Sequence, residues 1–446
     1  MAMTAVANAQ REKLLGSLFE GYEGPSFAAR FWDGWHWQSH GGTPKCTIVV
    51  NSADALRSLL LRPSEVTLGE AFLAKDIDVE GDLFSVFDVA EHVFHCTKGR
   101  RQRILEAASG VIFGLGAWVE SGVRHSQERD SKAISYHYDQ PANFYRPWLG
   151  KTLVYSCAYF QPGNSSIDIA QTNKLDLVCR KLRLQPGERY LDIGCGWGSL
   201  ILHATSRYSV DAYGITLSRE QKDVATARIA GAHLAERCHV ELLDYRKAVE
   251  RFPVFDKISS VGMVEHVGLR NLPLYFQTAR SLLKPGGVFL NHGIARAQCA
   301  SGDHLAFLDR SVVPFLRNVL GISRPHHSSF IDKYVFPDGE LVTLSQAVEA
   351  AESTGFEVRD VENLREHYEK TLHCWVDGLH RHADELLKLV SETTYRIWLL
   401  YMAGSAAAFK RGDIAVYQML LSRHERGNSH LPLTREDWYM DRSFAS

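Results

Sequence analysis

The sequence predicts an α/β fold built on a doubly wound parallel sheet, and three features support it. From about residue 173, short apolar runs alternate with segments of helical spacing. The first of these runs ends in a glycine-rich turn, and polar residues follow several of the others. Such alternation is typical of parallel strands joined by helices, whose ligands bind at the carboxyl ends of the strands.

Five strands and two helices of this sheet follow from the apolar runs. The first predicted strand, 189–193, is short and apolar and ends in glycines, as expected of a buried parallel strand. The other predicted strands are 211–216, 239–243, 256–262 and 287–292, and the predicted helices are 200–207 and 218–232.

A smaller α+β unit is predicted at the N-terminus, over about residues 1–95. The basic stretch 98–103 that follows it is either a solvated connector or a contact for anionic lipid headgroups. The polar stretch 126–132 can serve as a linker, so we expect this unit and its linker to end near residue 130. The predicted elements of the smaller unit are strands near 31–35 and at 46–50 and a helix at 54–61.

The composition favours a globular enzyme and gives no sign of a nucleic-acid partner. The 446 residues are 45% hydrophobic and 23% charged, which excludes wholesale disorder. Fifty basic and fifty-two acidic side chains give a formal net charge of −2, so no general attraction to nucleic acid is expected. Aromatic residues make up 11%, which favours aromatic-lined pockets.

The sequence lacks the usual targeting and metal-binding patterns. Its N-terminus has no secretory signal, and the longest apolar stretch, 397–409, is shorter than the roughly 20 residues of a spanning helix. Eight Cys and twenty His include no CxxC or HExxH motif, so we expect neither a metal site nor a disulfide framework. The expected class is a reduced, cytoplasmic protein.

The glycine-rich turn is the first candidate binding site. Gly194, Gly196 and Gly198 follow Asp192 and flank Cys195, so the backbone can turn sharply and approach a ligand closely. The free N–H groups of the helix that follows can bind a carboxylate or a phosphate. The GxGxG spacing favours S-adenosylmethionine (SAM) over NAD, although a glycine-rich turn without a ligand has the same composition.

Two further candidate cofactor segments follow the second and third strands. Thr216 and Gln221 stand where nucleotide sites commonly hold the ribose, but Thr or Ser followed by Gln before a helix is also a capping box. Tyr245 and Arg246 follow the third strand, where an aromatic ring can stack on adenine. A surface turn is an equally good interpretation of that pair.

Three other residues are candidates for the chemistry. Glu265 follows the fourth strand and His292 ends the fifth, so both lie on the ligand side of the predicted sheet. Glu265 can act as a base or hold a polar ligand, although a residue of this loop taken alone is more often a solvated loop side chain. For His292 a functional and a purely structural interpretation are equally good. Cys157 lies among aromatic residues and is more often a small core residue than a nucleophile.

Taken together, these motifs resemble the cyclopropane-fatty-acyl-phospholipid synthases and the related mycolic acid cyclopropane synthases. The likeness runs from about residue 131 to 423 and extends more weakly through 68–83. It implies a SAM-dependent methyltransferase (Rossmann-like) catalytic domain with a helical acyl-binding cap over 131–446. It also implies an N-terminal accessory, lipid-binding domain with its linker over 1–130. The matching stretches are HYD (137–139), YSCAYF (155–160), LDIGCGWG (191–198), GITLSREQ (214–221), VGMVEHVG (261–268), HGI (292–294), KYVFPDGEL (333–341) and HYEKTL (367–372).

The resemblance also implies a reaction and a set of site residues. The double bond of a cis-unsaturated acyl chain attacks the methyl group of SAM, and loss of a proton to a bound bicarbonate ion closes a cyclopropane ring. The implied bicarbonate shell is Cys157, Glu265, His292, the backbone at Ile294, and Tyr368. The implied SAM contacts are Tyr155, Ser156, Asp192, Gly194, Cys195, Gly196, Gly198, Thr216, Leu217, Gln221, Tyr245 and Arg246.

The implied substrate is an unsaturated phospholipid of the membrane. The enzyme is therefore expected to associate peripherally with the inner face of the membrane, and a homodimer is one arrangement compatible with the sequence. The apolar stretch 397–409 is expected to line the acyl channel, although a plain core helix explains its composition equally well.

The sequence departs from the family at three places. Ser405 stands where relatives often have a Cys, which puts activity in doubt only if that Cys is an essential nucleophile. Leu243 stands where relatives tend to have Gln, so the side chain for one adenine contact is missing. Gln-Pro-Ala at 140–142 replaces the more usual Leu-Gly-Asn, and we expect this change to affect a lid and not the chemistry.

Three other functions fit parts of the same sequence. A sister enzyme would methylate the same double bond but end at a methylene or methyl branch; the complete base shell favours ring closure without excluding it. A small-molecule N-methyltransferase of the same fold would lack the Cys of YSCAYF, so Cys157 argues against it. A lipid-binding protein with a degenerate site would not need an intact glycine loop.

Overall fold

The chain forms two compact units in the computed structural model, which describes residues 2–54, 56, 64–97, 141–163, 166–297, 330–335 and 340–439. The first unit comprises Met1–Ser121, Gly302–Pro337 and Ser391–Ala407, and the second comprises Gly122–Ser301, Asp338–Val390 and Ala408–Ser446. The predicted domain boundary between residues 130 and 131 lies outside the described residues. So do the HYD motif at 137–139, the basic stretch 98–103 and most of the predicted helix 54–61.

The described residues form both helices and strands, each numbered in chain order. The helices are α1 (Ala2–Leu18), α2 (Glu65–Leu73), α3 (Ser85–Thr97), α4 (Ala142–Leu149), α5 (Ile167–Leu182), α6 (Ser199–Tyr208), α7 (Arg219–Gly231), α8 (Ala248–Arg251), α9 (Leu272–Leu282), α10 (Phe330–Tyr334), α11 (Leu344–Ser353), α12 (Arg365–Arg381), α13 (Ala383–Leu386) and α14 (Glu392–Arg411). The strands are β1 (Phe27–Phe31), β2 (His36–Gln38), β3 (Cys46–Val50), β4 (Ile77–Gly81), β5 (Arg189–Ile193), β6 (Asp211–Thr216), β7 (Cys238–Leu242), β8 (Phe255–Val261), β9 (Leu283–Arg296), β10 (Glu357–Asn363) and β11 (Ile414–Ser422).

A four-stranded sheet organises the N-terminal part of the first unit. Its strand order is β2-β1-β3-β4, with β1 and β3 parallel and the other neighbours antiparallel. Phe31 of β1 and Val50 of β3 are buried in one cluster with Leu15 of α1. The predicted strand at 46–50 is confirmed, whereas 31–35 contains only the end of β1 and the turn into β2.

The apolar stretch 397–409 lies within α14. Trp398, Met402 and Ala406 are buried along this helix, as is Ser405, so the stretch has the burial expected of a core helix. Its place in an acyl channel stays a prediction. Among the residues that the structure describes, no helix is long and apolar enough to cross a membrane.

The second unit is built on a seven-stranded sheet of order β10-β11-β9-β8-β5-β6-β7. Strands β5 to β9 are parallel, which confirms the predicted doubly wound parallel sheet. The bounds of β5 to β8 agree with the prediction to within one residue, while β9 is longer at both ends. Strands β11 and β10, which extend the sheet with antiparallel pairing, were not predicted from the sequence.

Apolar side chains cover both faces of this sheet, as a doubly wound fold requires. Tyr190 and Leu191 are neighbours in β5, point to opposite faces, and belong to two different core clusters. Helices α5 and α6 contribute Val178 and Ile201 to the cluster of Tyr190. Helices α9 and α11 contribute to the other cluster. Because β5 has β6 on one side and β8 on the other, the strand order reverses at the carboxyl end of β5, where such folds bind ligands.

Candidate functional site

The loop between β5 and α6 is held open by three glycines. Gly194, Gly196 and Gly198 all have positive φ, at +81°, +51° and +81°. The Gly194 amide donates to the Ile215 carbonyl at 2.9 Å, which ties the loop to β6. A Cβ added at Gly196 would meet no atom within 4 Å, so this residue borders open space. A Cβ at Gly198 would instead lie 3.1 Å from the Ala225 Cβ, so this glycine allows α6 and α7 to pack closely.

A cleft opens at the carboxyl ends of β5, β6 and β8, and we call it the strand-end cleft. Its lining includes nearly all of the predicted SAM contacts. Gly198 is the exception, because it starts α6 and packs against α7. The predicted residues that line the cleft are Tyr155, Ser156, Asp192, Gly194, Cys195, Gly196, Thr216, Leu217, Gln221, Tyr245 and Arg246.

Asp192 places a carboxylate at the base of the cleft. The residue is 3% exposed, and its Oδ1 accepts a hydrogen bond from the Ser259 hydroxyl at 2.5 Å. Burial raises the pKa of Asp192 to about 6, against the opposing effects of that hydrogen bond and of Lys174. The group is therefore mainly ionised at neutral pH and suits a cationic part of a ligand.

The structure at the end of β6 tests the capping-box interpretation of Thr216 and Gln221, while their role in a ribose site stays a prediction. Ser218 is the N-cap of α7, and its side chain accepts a hydrogen bond from the backbone amide of Gln221 at 3.2 Å. The Gln221 side chain does not complete a capping box, because its Oε1 accepts from the Thr216 hydroxyl at 2.7 Å. Both side chains therefore stand at the cleft, and only Ser218 serves the helix end.

Tyr245 and Arg246 begin a short 3-10 helix that borders the cleft. The Arg246 guanidinium is held by Asp244, with Nε 2.9 Å from Oδ1 and Nη2 2.6 Å from Oδ2. It lies 5.4 Å from the centre of the Tyr245 ring, which packs edge-on against Tyr275. These contacts pack the pair against neighbouring side chains, while its role in a cofactor site stays a prediction. Leu243 lines the cleft as well.

Pro141 and Ala142, the described part of the segment 140–142, stand beside the glycine loop. Pro141 precedes α4, and the Ala142 amide donates to Glu220 Oε1 at 2.9 Å. The second oxygen of Glu220 accepts from the Trp197 indole at 3.3 Å. Glu220 therefore links the start of α4 to the loop, while the predicted effect of this segment on a lid stays a prediction.

Lys174 is a cleft residue that was not predicted from the sequence. Its side chain is buried and donates to the Ser156 hydroxyl at 2.9 Å, and burial lowers the pKa of its ammonium group to about 8. Ala170 and Val178 lie one turn before and one turn after it on the buried face of α5. A lysine at an apolar position of a helix is the signal that could have identified it.

Glu265 and Ile294 form the centre of a second group, which we call the β9 group: Cys157, Glu265, His292, Ile294 and Tyr368. None of these five residues lines the strand-end cleft. Met263 and His266, which lie within two residues of Glu265 in the sequence, do line it. Glu265 Oε1 accepts from the Ile294 amide at 2.7 Å. Its Oε2 is buried and has no hydrogen-bond partner among the described residues. Burial raises the pKa of Glu265 to about 7.

His292 lies two residues before Ile294 on β9 and therefore shares its face of the strand. Its Nδ1 accepts from Gln418 Nε2 at 3.2 Å. Its Nε2 is buried and, like Glu265 Oε2, has no partner among the described residues. Burial lowers the pKa of His292 to about 3, so the imidazole is neutral. Two buried polar atoms of this group therefore have the capacity to bind a polar ligand.

Cys157 and Tyr368 are connected to Ile294 through the backbone of Leu364. The Cys157 thiol lies 3.7 Å from the Leu364 carbonyl, which also accepts from the Tyr368 amide at 3.0 Å. The Leu364 amide donates to Val416, the register partner of Ile294. Burial raises the pKa of Cys157, so it is a thiol that can donate a hydrogen bond and not a nucleophilic thiolate.

Two family models match the chain. One, described as mycolic acid cyclopropane synthetase, matches residues 125–419. The other, described as a domain of unknown function, matches residues 14–95.

Known relatives match most of the chain. A probable fatty acid methyltransferase of Pseudomonas putida is 38% identical over 92% of this chain and 95% of its own. Cyclopropane mycolic acid synthase 1 of Mycobacterium tuberculosis is 34% identical over 64% of this chain and 94% of its own. Cyclopropane-fatty-acyl-phospholipid synthase of Escherichia coli is also 34% identical, over 64% of this chain and 66% of its own.

Solved structures agree with these relatives. A mycolic acid cyclopropane synthase crystallised with S-adenosylhomocysteine (SAH) and CTAB is 32% identical and covers 65% of this chain and 97% of its own, with a TM-score of 0.57. The matched region contains both the strand-end cleft and the β9 group. The family expected from the motifs is confirmed, and the chain belongs to the mycolic acid cyclopropane synthetase family, a family of SAM-dependent methyltransferases that act on lipid acyl chains.

Proposed function

We propose that this enzyme transfers the methyl carbon of SAM to the cis double bond of unsaturated acyl chains in membrane phospholipids and closes a cyclopropane ring, with bicarbonate as the base. The observation that carries the proposal is a pair of buried polar atoms in the β9 group, Glu265 Oε2 and His292 Nε2, that have no hydrogen-bond partner among the described residues. Buried polar atoms in native proteins are nearly always satisfied, so such a pair points to a polar ligand.

The chemistry of the β9 group suits bicarbonate. This ion has one hydroxyl donor and acceptor oxygens. Glu265, when ionised, only accepts, and His292 donates if its proton is on Nε2. The Tyr368 hydroxyl is a further donor, and the Cys157 thiol becomes one when its proton turns from a backbone carbonyl to the ion. When bound, bicarbonate would supply the base that takes the proton lost on ring closure.

The strand-end cleft is the proposed SAM site. The glycine loop lets the backbone approach the cofactor, and Asp192 offers a carboxylate to its cationic parts. Gln221 and Thr216 offer polar groups at the end of β6, where such folds hold the ribose. The ring of Tyr245, which also lines the cleft, would stack on adenine.

A row of aromatic rings leads from the cleft to the β9 group. The ring of Tyr155, which lines the cleft, lies 5.3 Å from that of Trp375, which lies 6.1 Å from that of Tyr368. Ring faces attract positive charge. These rings would therefore stabilise the carbocation formed by methyl transfer until its proton is removed.

A product assay tests this proposal. Purified enzyme is incubated with labelled SAM and vesicles of a cis-monounsaturated phospholipid, and the fatty acids are resolved by mass spectrometry and proton NMR. We expect a gain of one CH2, upfield ring protons and no alkene. The free fatty acid, assayed in parallel, is expected to be a poorer substrate. Labelled product from the free acid but not from the phospholipid would contradict the substrate assignment.

A second candidate is a methyltransferase that leaves a methylene or methyl branch. The Pseudomonas putida relative, described as a probable fatty acid methyltransferase, matches 92% of this chain and favours it. The same assay separates the two functions, because a methylene branch retains an alkene after the gain of one CH2. An absence of labelled lipid despite SAM binding would contradict both.

Membrane attachment and domain roles complete the proposal. An enzyme acting on phospholipid must reach the bilayer, so we expect peripheral association with the inner face of the membrane. We assign catalysis to a domain over 131–446 and lipid contact to an accessory domain over 1–130. Co-sedimentation with anionic vesicles tests the peripheral association with the membrane. Sedimentation velocity tests whether the enzyme is a homodimer.

A further inference from the structure

A row of polar side chains crosses three adjacent strands at His292. Glu362 of β10 is paired in register with Gln418 of β11, and Gln418 is paired with His292 of β9. Side chains of directly paired residues project from the same face of a sheet. Lys181 of α5 contacts the row from that face, so the four residues form one connected set.

Lys181 fixes the orientation of the Gln418 amide. Its ammonium group donates to Glu362 Oε2 and, at 2.8 Å, to Gln418 Oε1. An ammonium group cannot accept a hydrogen bond, so the amide must turn its oxygen toward Lys181. The Gln418 Nε2 therefore faces His292. The two amide atoms are assigned by their partners and not by shape alone.

Gln418 in turn fixes the tautomer of His292. An amide nitrogen only donates, so the Nδ1 that lies 3.2 Å from Gln418 Nε2 must be the acceptor and carry no proton. A neutral imidazole then carries its proton on Nε2. Burial, together with the nearby ammonium groups of Lys174 and Lys181, lowers the pKa of His292 to about 3 and keeps the ring neutral.

The hydrogen bonds of Gln418 to Lys181 and to His292 are shielded from water. Lys181, Gln418 and His292 are each 1% exposed. A buried ammonium group is costly unless it is paired, and here Glu362 supplies the counter-charge. The orientation of the amide is therefore set by the protein itself.

We propose that Glu362, Lys181 and Gln418 are positioning residues that present the Nε2–H of His292 as a fixed hydrogen-bond donor to an acceptor oxygen of a bound anion. His292 then serves as a donor and not as an acid or base. The inference deepens the proposed function and rests on it only for the identity of the anion as bicarbonate. The tautomer itself is a property of the free protein.

The tautomer can be measured without any activity. Nitrogen-15 NMR of the full chain, labelled at histidine, reports which ring nitrogen carries the proton, and the signals lost in His292→Asn assign the residue. We expect a protonated Nε2 and a bare Nδ1 at neutral pH. An Nδ1–H tautomer or an imidazolium in the wild type would overturn the proposal.

Two variants test whether the row sets the tautomer. Gln418→Met removes the donor at similar volume. Lys181→Met combined with Glu362→Gln removes both charges, so neither stays buried alone. We expect each to give a mixture of tautomers and to lower turnover by about 2-fold or more, in proportion to the fraction of the Nε2–H tautomer that is lost, with SAH affinity unchanged.

Ser422→Ala is the matched control, because Ser422 is buried on the same face of β11 but bonds to Glu357. It is expected to keep the wild-type tautomer and turnover. Retention of a pure Nε2–H tautomer in both test variants would overturn the proposal. An Nε2–H wild type whose variants give mixed tautomers, but which makes no labelled lipid, would support the positioning row while contradicting the proposed function.

Discussion

At the scale of single residues, Glu265 carries its charge at a cost to folding stability. Burial raises its pKa from 4.5 to about 7. Between these values the folded protein holds a proton that the unfolded chain has released. The contribution of this group to the free energy of unfolding is therefore fully present below about pH 4.5 and is lost as the pH rises through 7.

Glu265→Gln removes this cost while keeping an acceptor for the Ile294 amide. We expect the variant to be more stable than the wild type by about 1–3 kcal/mol at pH 8, and by less than about half of that at pH 5. The lower limit of this range applies because Glu265 as a whole residue is partly exposed, and solvent weakens the effect of burial on its charge. Urea denaturation at both pH values measures the difference. A difference that does not depend on pH would contradict the raised pKa.

Gly196 allows the cofactor loop to be tested separately from backbone strain. Gly196 and Gly187 both have positive φ, and a Cβ at either meets no atom within 4 Å, but only Gly196 lines the strand-end cleft. Alanine at either position should cost about 1 kcal/mol of stability. Only Gly196→Ala should weaken SAH binding, by about 10-fold or more, in calorimetric titration. Equal SAH affinities of the two variants would place the cofactor elsewhere.

At the scale of elements, Arg396 holds the first part of α14 within the first unit. Its Nε donates to the Phe72 carbonyl at 2.8 Å, and its Nη2 lies 3.1 Å from Asp78 Oδ1. The guanidinium also lies 3.9 Å from the centre of the Phe72 ring. One side chain thus joins a late helix to α2 and β4, elements more than 300 residues earlier in the chain.

Arg396→Met should therefore destabilise the first unit by about 2–3 kcal/mol and speed hydrogen exchange of the α14 amides before residue 408. Arg396→Lys keeps the attraction to Asp78 but loses the planar fork, so it should have a smaller effect. Hydrogen exchange followed by mass spectrometry compares the two. Wild-type protection of α14 in Arg396→Met would show that packing alone holds the helix.

Elements differ in how far the sequence predicts them. Strands β5 to β8 are buried apolar runs with turns at their ends, so their bounds follow from local pattern to within one residue. Strand β10 was missed because its sequence, EVRDVEN, is polar and only partly buried. It is a strand because it pairs with β11, and that pairing cannot be inferred from either segment alone.

At the scale of the whole molecule, the site residues also differ in how far the sequence predicts them. The glycine loop and the polar residues at the strand ends follow from motifs whose spacing is local. The partners of His292 do not, since Lys181, Glu362 and Gln418 meet only through the register of three strands and the position of a helix. Lys174 was missed for a related reason, because helical periodicity marks its position as buried without showing that it borders a cleft.

Separate sites for cofactor and base make a last prediction for the enzyme as a whole. A ligand that binds only the folded state stabilises it by about 2.7 kcal/mol at 100 times its dissociation constant, so SAH should raise the free energy of unfolding by this amount. Glu265→Ala should retain this stabilisation but form no product, because Glu265 belongs to the β9 group and does not line the cleft. Gly196→Ala should lose about half of it at the same SAH concentration, since a 10-fold weaker site contributes about 1.4 kcal/mol less. Denaturation with and without SAH, combined with the product assay, measures both. Loss of the stabilisation by SAH in Glu265→Ala would mean that one site holds both the cofactor and the base. The assignment of SAM to the strand-end cleft and of the base to the β9 group would then be wrong.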